Sequence, residues 1–450
     1  MENIKLVDNK PGIAYKLLKL YVRIVYCNFY FRKVYFLNKE NIPSDCPLIV
    51  VSDHQNSLND ALGLVFAINS RGSRKLRAFT RADAFDRPFM RYVLKGVGLM
   101  PAFRLEFQGL ESVYKNEDIF DDARHELLNN GTIIIFPEAN HRGRHAIRKF
   151  SQGYLRLLFD AAEASGFEKE MFVLPVCNHY SDYLAMREEM LIKFGKPIPL
   201  APYYQQYKEK PKTTLREVNR LVQQKVADLM LNITNENDYD AIDYIRNSYG
   251  AKYASAQNLN YRSLPEKLHV EKLLVEELDK QTVAEPERMQ ALYDQASEFA
   301  QEVKRLKIKD EHFDCRPSFP VLTISILVLL FPFFLVSWLL NLIILYIPRI
   351  FTRKLDDVIL HGAVKMTTSI LLTIPLQYLV NFVIFWCLTG SFITALACLI
   401  VLPFTYIFAK HYIIAFNNCL GKIRFLKLQT KLEEQRGHIR ELLDNLFIGK

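Results

Sequence analysis

From Val34 to Lys196, short β-rich apolar runs alternate with segments of helical period. "LIVV", "TIIIF", "MFVLPV" and "MLIKFG" read as strands. Asn59–Asn69, Asp86–Lys95 and Ile119–Asn129 read as helices. "NNG" before Thr132 is a helix stop, because glycine tolerates the left-handed conformation. Strands separated by helices predict an α/β sheet flanked by helices. From about Thr213 to Phe313 the chain turns charged, rich in Glu, Lys, Gln and Leu, as in "EKLHVEKLLVEELDKQ". That stretch reads as a helical insertion or stalk without a catalytic constellation.

Two long apolar runs follow. Val321–Ile347 carries 27 residues without a charge, enough for roughly 40 Å of helix against a hydrocarbon core of about 30 Å. Met366–Ala409 carries 44, interrupted by "TGS" at Thr389–Ser391, which is long enough for two spans and a tight turn. Arg349, Arg353 and Lys354 follow the first run; Lys410, Lys422, Arg424 and Lys427 follow the second. If both basic flanks are cytoplasmic, the second run is a hairpin and the first, with Pro332 inside it, is a re-entrant or broken helix. A single span is the simpler alternative. Residues 13–36 are apolar and aromatic, punctuated by Lys16, Lys19, Arg23, Arg32 and Lys33, a pattern suited to the headgroup boundary of a bilayer. The expected organisation is an amphipathic interfacial helix region over 1–36, an α/β domain over 37–205 and a charged helical segment over 206–318. A transmembrane region of two or three spans follows over 319–412, then a basic amphipathic helix over 413–450.

Composition sharpens this picture in two places. The formal net charge is +9, which beside long apolar runs points to anionic lipid surfaces rather than to nucleic acid. The seven cysteines stand far apart with no C-x-x-C, which argues against a disulfide framework and a structural zinc site. "MENIKLVDNKPG" lacks the apolar core of a signal peptide. Reduced thiols on the cytoplasmic face of the cell inner membrane are expected.

Candidate chemistry gathers in four blocks. In "IVVSDHQNSLND", His54 stands just past a strand, and Asp60 falls in the first turn of the next helical segment, within reach of the imidazole. Alone, this spacing is a weak signal and favours a polar residue that merely closes a strand. In "GTIIIFPEANHRGRHAIRKF", a strand runs into Pro137, Glu138, Asn140 and His141, with Arg142, Arg144, Arg148 and Lys149 close by. A carboxylate among cations suits a polyol phosphate, the cations holding the phosphate and the carboxylate a hydroxyl. Singly, Arg144 and Lys149 read as a solvated loop. "GVGLMPAFR" is a glycine-bearing turn ending at Arg104. "FVLPVCNHY" is a further strand carrying Pro175.

In this order, the four blocks resemble the glycerolipid acyltransferases of the PlsC or lysophosphatidate acyltransferase type, over roughly residues 34–200. "ENIPSDCPLIVVSDHQNS" is similar to the lead into that family's His-x4-Asp block. "GLMPAFR" resembles the block with the substrate-binding arginine, "LLNNGTIIIFPEANHRG" the FPEG-[TS]-R block, "VLPVCNHY" the proline block, and "IKFGKPIPL" the closing strand. Departures are plain. Asn59 stands where the family has its aspartate, and the carboxylate is Asp60, one position later. Asp53 replaces the common Asn, Ala139 replaces Gly, and "SQG" at Ser151–Gly153 replaces Lys-Lys-Gly.

The resemblance implies an acyltransferase-type mixed sheet and an enzyme that moves a fatty acyl group from acyl-CoA or acyl carrier protein. The acceptor would be a hydroxyl of glycerol 3-phosphate or lysophosphatidate, in phospholipid synthesis. His54 would be the general base and Asp60 its orienting partner. Arg104, Glu138, Asn140, His141, Arg142 and Pro175 would bind substrate. An acyl thioester is already activated, so no metal or cofactor is expected. "RGSRKLRAFTR" at Arg71–Arg81 could meet the donor's phosphates or, equally, a lipid surface. The bilayer is the expected partner. Another lipid acceptor, or an inactive lipid-binding scaffold, are the competing readings.

Overall fold

A computed structural model describes residues 13–448 apart from 70–75, 82–84, 87–90, 92–98, 103–110, 139–142, 315–317, 354, 356 and 358–359. It divides into two compact units. The first comprises residues 1–232 with 357–363; the second comprises 233–356 with 364–450.

In the first unit, helix α1 (Ile13–Ile24) and a π-helical turn (Val25–Tyr30) lead into strand β1 (Lys33–Leu37). Then come β2 (Leu48–Ser52), α2 (Leu58–Asn69), β3 (Leu76–Arg81), β4 (Leu99–Ala102), α3 (Glu111–Leu128), β5 (Thr132–Ile135) and α4 (Gly153–Ala164). β6 (Phe172–Tyr180), β7 (Glu189–Phe194), β8 (Ile198–Pro199) and α5 (Pro211–Leu229) complete it. The described strands form one eight-stranded sheet in the order β1-β7-β6-β2-β5-β3-β4, with β8 also on β6. β2 runs parallel to both neighbours, whereas β6 is antiparallel to β7 and β8. The sheet is therefore mixed, as expected.

"LIVVS" is buried at every position because both faces of the sheet are covered. Ile49, Val51, Ile133, Val173 and Cys177 share a core with α3, α4 and α5, where Leu215, Val218, Val222 and Val226 supply one face of α5. Residues 206–232 thus pack into the sheet domain. On the other face α2 lies close to β7. A Cβ at Gly63 would come 2.5 Å from Met190 Cε and 2.8 Å from Ile192 Cδ1. Pro175, inside β6, lacks a ladder donor. It sits where the far side of the strand changes partner, from β8 at Val173 to β7 at Val176. Its carbonyl accepts Gly195 N–H at 2.8 Å.

In the second unit, α6 (Tyr239–Ala256), α7 (Leu264–Ala284) and α8 (Pro286–Leu306) form a helical bundle. A buried ion pair, Arg246 to Glu271 at 2.6 Å, lies between α6 and α7. Then come α9 (Val321–Leu339), α10 (Leu342–Thr352), α11 (Leu360–Thr389) and α12 (Phe392–Phe447). Among the described residues three helices, α9, α11 and α12, are long and apolar enough to cross a membrane. The charged C-terminal stretch continues α12 and joins the bundle, Tyr249 donating to Asp444 at 2.8 Å and Arg436 pairing with Asp310 at 2.6 Å.

The first apolar run does break, but not where Pro332 suggested. Pro332 lies inside α9, and the break falls at Leu340–Asn341. Polar side chains satisfy the backbone groups freed there. Asn341 donates to the Ser337 carbonyl and to Thr405, Asn381 donates to the Leu340 carbonyl, and Gln377 accepts Ile343 N–H. The second run breaks at Gly390, whose φ of 65° is the left-handed stop that "TGS" signalled.

The close approach at Gly63 sets a test. Gly63→Ala is expected to cost about 1–3 kcal/mol by overpacking, and the same substitution should cost less in a Met190→Ala background, where the nearest clashing atoms are gone. Thermal unfolding of the single and double variants reads this out; equal melting of wild type and Gly63→Ala would remove the claim.

Candidate active site

The site lies at the carboxyl ends of β2, β5 and β6, the position open α/β sheets favour. β2 ends at Ser52, and residues 53–57 turn into α2. Ser57 has φ 50°, a left-handed step that adds one residue to the turn. Asn59 N–H then donates to Asn56, and Asp60 N–H to Ser57. As a result Asp60, not Asn59, faces the histidine: His54 Nδ1 lies 2.9 Å from Asp60 Oδ2. The Asn59 amide donates instead to Asn56 Oδ1 at 3.2 Å. An ionised carboxylate can only accept, so Nδ1 is the donor of this pair. The imidazole stacks on Phe136, just past β5, with ring centroids 4.4 Å apart.

Asp60 is fully buried and has four donors. Oδ2 also accepts Gln55 N–H at 2.9 Å and Asn56 N–H at 2.8 Å. Oδ1 accepts Tyr180 OH at 2.5 Å. Glu138 accepts a further backbone donor of the turn, His54 N–H, at 3.3 Å. The N–H groups of residues 54–56 are thus all committed to carboxylates.

Two further carboxyls crowd this space. Asp53 is buried; its Oδ1 accepts Asn178 N–H at 2.7 Å and Ser52 OH at 3.1 Å. Burial, reinforced by the Asp60 charge, pushes its carboxyl well above the usual range. Burial pushes Glu138 up to about 7, despite opposing donors from His54 and Arg148. On the neighbouring loop, Tyr183 OH lies 2.9 Å from His145 Nδ1, and Asn56 donates to the Tyr183 carbonyl.

The structure thus brings together His54, Asp60 and Glu138 of the sequence-predicted set. It places Pro175 at the level of Val51, three residues short of His54 along the sheet. Arg104, Asn140, His141 and Arg142 lie outside the described residues, as do residues 71–75 of the Arg71–Arg81 stretch. Arg77, from that stretch, pairs with Glu126 at 3.3 Å. Tyr180 and Tyr26 escaped the sequence reading. Tyr26 OH donates to the Asn59 carbonyl at 2.6 Å. No pattern in its own stretch marks Tyr180, whose strand runs on past the end of β2.

Residues 33–179 match the family model described as Acyltransferase. That segment is an acyltransferase domain, and the PlsC-type likeness read from the four blocks is borne out over it. No curated protein matches the chain. Among solved structures, the chain is similar to PlsC, the 1-acyl-sn-glycerophosphate (LPA) acyltransferase of Thermotoga maritima. Identity is 18% and the TM-score 0.32, over 46% of this chain and 78% of that one.

Glu138 carries a pH signature. Its folded pKa is raised, so the stability it contributes is full below pH 4.5 and is lost as pH rises through about 7. Thermal melting should therefore drop over that window in wild type, and Glu138→Gln should flatten the drop. Asp53 acts in the same direction and is present in both proteins. Identical slopes would show that Glu138 is not titrating there.

Proposed function

We propose that this acyltransferase domain moves a fatty acyl group from an acyl thioester, acyl-CoA or acyl carrier protein, to a hydroxyl of glycerol 3-phosphate or lysophosphatidate. The observation that carries the reading is the His54–Asp60 pair, set at the carboxyl edge of the sheet of a domain that matches the acyltransferase family. His54 Nε2 takes the proton of the acceptor hydroxyl as its oxygen bonds to the thioester carbonyl carbon. Asp60 holds the resulting imidazolium. The tetrahedral intermediate collapses with cleavage of the C–S bond, and the departing thiolate takes the proton back from Nε2. No covalent acyl-enzyme is required.

Glu138, close to half-protonated near neutral pH, suits a contact with an acceptor hydroxyl. Arg104, Asn140, His141 and Arg142 would hold the acceptor's phosphate. Three helices able to span a bilayer support a membrane protein. So does the face of α1 on which Leu17, Leu20 and Ile24 lie exposed. The basic residues after the apolar runs favour the inner membrane, with the domain on its cytoplasmic face. An acylated product stays in the bilayer, so an enzyme held there meets acceptor and product without moving either through water.

The test is radiolabelled acyl transfer in membranes, with each acceptor in turn. His54→Ala and Asp60→Asn should lose a hundredfold or more in rate, roughly the contribution of a general base. Asn59→Ala should keep most of it. Activity retained in His54→Ala would end the general-base assignment. Absence of transfer by wild type to both acceptors would point to another lipid acceptor or a lipid-binding scaffold.

A further inference from the structure

Asp60 must do two things with two oxygens. Oδ2 faces three donors from the β2–α2 turn, His54 Nδ1, Gln55 N and Asn56 N, at 2.8–2.9 Å. Those contacts fix Oδ2 from one end and leave Oδ1, and with it the tilt of the carboxylate plane, to a donor from elsewhere. That donor comes from the neighbouring strand, β6. Tyr180 OH reaches Oδ1 at 2.5 Å, a span of 120 positions in sequence.

Tyr180 is itself immobile. It closes β6, pairs with Met190 of β7, and is 2% exposed. Its ring packs against Phe31 and Tyr183, with centroids 5.9 and 5.6 Å away. Burial first, and then the Asp60 charge, push its phenol well above the usual range, so it stays a donor. A buried carboxylate with a fixed hydroxyl on one oxygen presents the other to the histidine in one orientation.

We infer that Tyr180 is a positioning residue of the acyl-transfer site, locking Asp60 by Oδ1 so that Oδ2 holds His54 in the productive tautomer and orientation. This rests on the general-base reading of His54. The hydroxyl also draws carboxylate charge away from the imidazole. Removing it leaves more negative charge facing His54, which favours the imidazolium. Other titratable groups surround the pair. They are Asp53 at the end of β2, Glu138 and Arg148 beyond β5, Tyr26 and Tyr30 from the N-terminal turn, and His145, His179 and Tyr183 around the end of β6. His361 stands at the start of α11. Tyr180→Phe changes none of them.

The experiment uses the full chain in detergent micelles. Neutral imidazole is the form that reacts with diethyl pyrocarbonate, so the rate of His54 modification against pH, read by peptide mass spectrometry, reports its protonation without any substrate. In Tyr180→Phe the midpoint is expected to move up by roughly half a pH unit or more. Transfer from acyl-CoA to lysophosphatidate should fall roughly tenfold or more in kcat with KM little changed. Tyr26→Phe removes a neighbouring buried hydroxyl that does not touch Asp60, and should leave the midpoint in place. If Tyr180→Phe does not fold, 3-fluorotyrosine at the same position, a stronger donor on the same ring, should move the midpoint down. An unmoved midpoint in the folded protein, with His54→Ala inactive, overturns the role of Tyr180 alone. A shifted midpoint with His54→Ala still active means that Tyr180 holds a carboxylate the chemistry does not use, and both readings fall.

Discussion

One buried negative charge organises the acyltransferase domain. A carboxylate at full burial is tolerated only when donors surround it, and removing a partner from such a charge typically costs several kcal/mol. Asp60 draws its donors from two places that only the folded sheet brings together: the turn after β2 and the last residue of β6. The order β6-β2-β5 sets the end of β6 directly beside the turn that follows β2. The sheet order is thus a requirement of the site as much as a frame for it.

That charge also constrains its neighbours. Burial first, and then the Asp60 charge, drive Asp53 and Glu138 toward the neutral acid. Asp60 faces the histidine, while the other two serve the backbone. Asp53 ties β2 to β6 through Asn178, and Glu138 ties β5 to His54 N–H.

Much of this was legible in the sequence where pattern carried it. The runs "LIVV" and "TIIIF" announced buried strands, "TGS" announced a break, and the uncharged runs announced helices long and apolar enough to cross a membrane. His54 was legible as a strand-end histidine. Choosing Asp60 over Asn59 depended on a single left-handed residue, Ser57, which no residue preference of serine signals. Tyr180 was illegible for another reason. Its meaning depends on how far β6 runs past β2, and on a pairing with no trace in local periodicity. Pro332 misled because this apolar helix absorbs a proline, whereas Asn341, which sits at the break, needs Thr405 and Ser337 nearby to make that break stable. Residues 206–232 looked like the charged helices that follow them. Only their apolar stripe, seated on the sheet, separates them.

Gly362 has a consequence for how the protein comes into being. It lies against the turn that carries the dyad; a Cβ there would meet the Tyr183 carbonyl at 3.0 Å and Asn56 Oδ1 at 3.1 Å. Its own carbonyl accepts Tyr30 OH at 3.0 Å, across 332 positions of chain. The wall beside the histidine is therefore laid by a segment that leaves the ribosome after the first apolar helices. During synthesis the sheet can form long before this wall arrives. A nascent chain halted at the end of the sheet domain carries an open, half-built centre. The centre is therefore completed only after α9, the first helix long and apolar enough to cross a membrane, has been made.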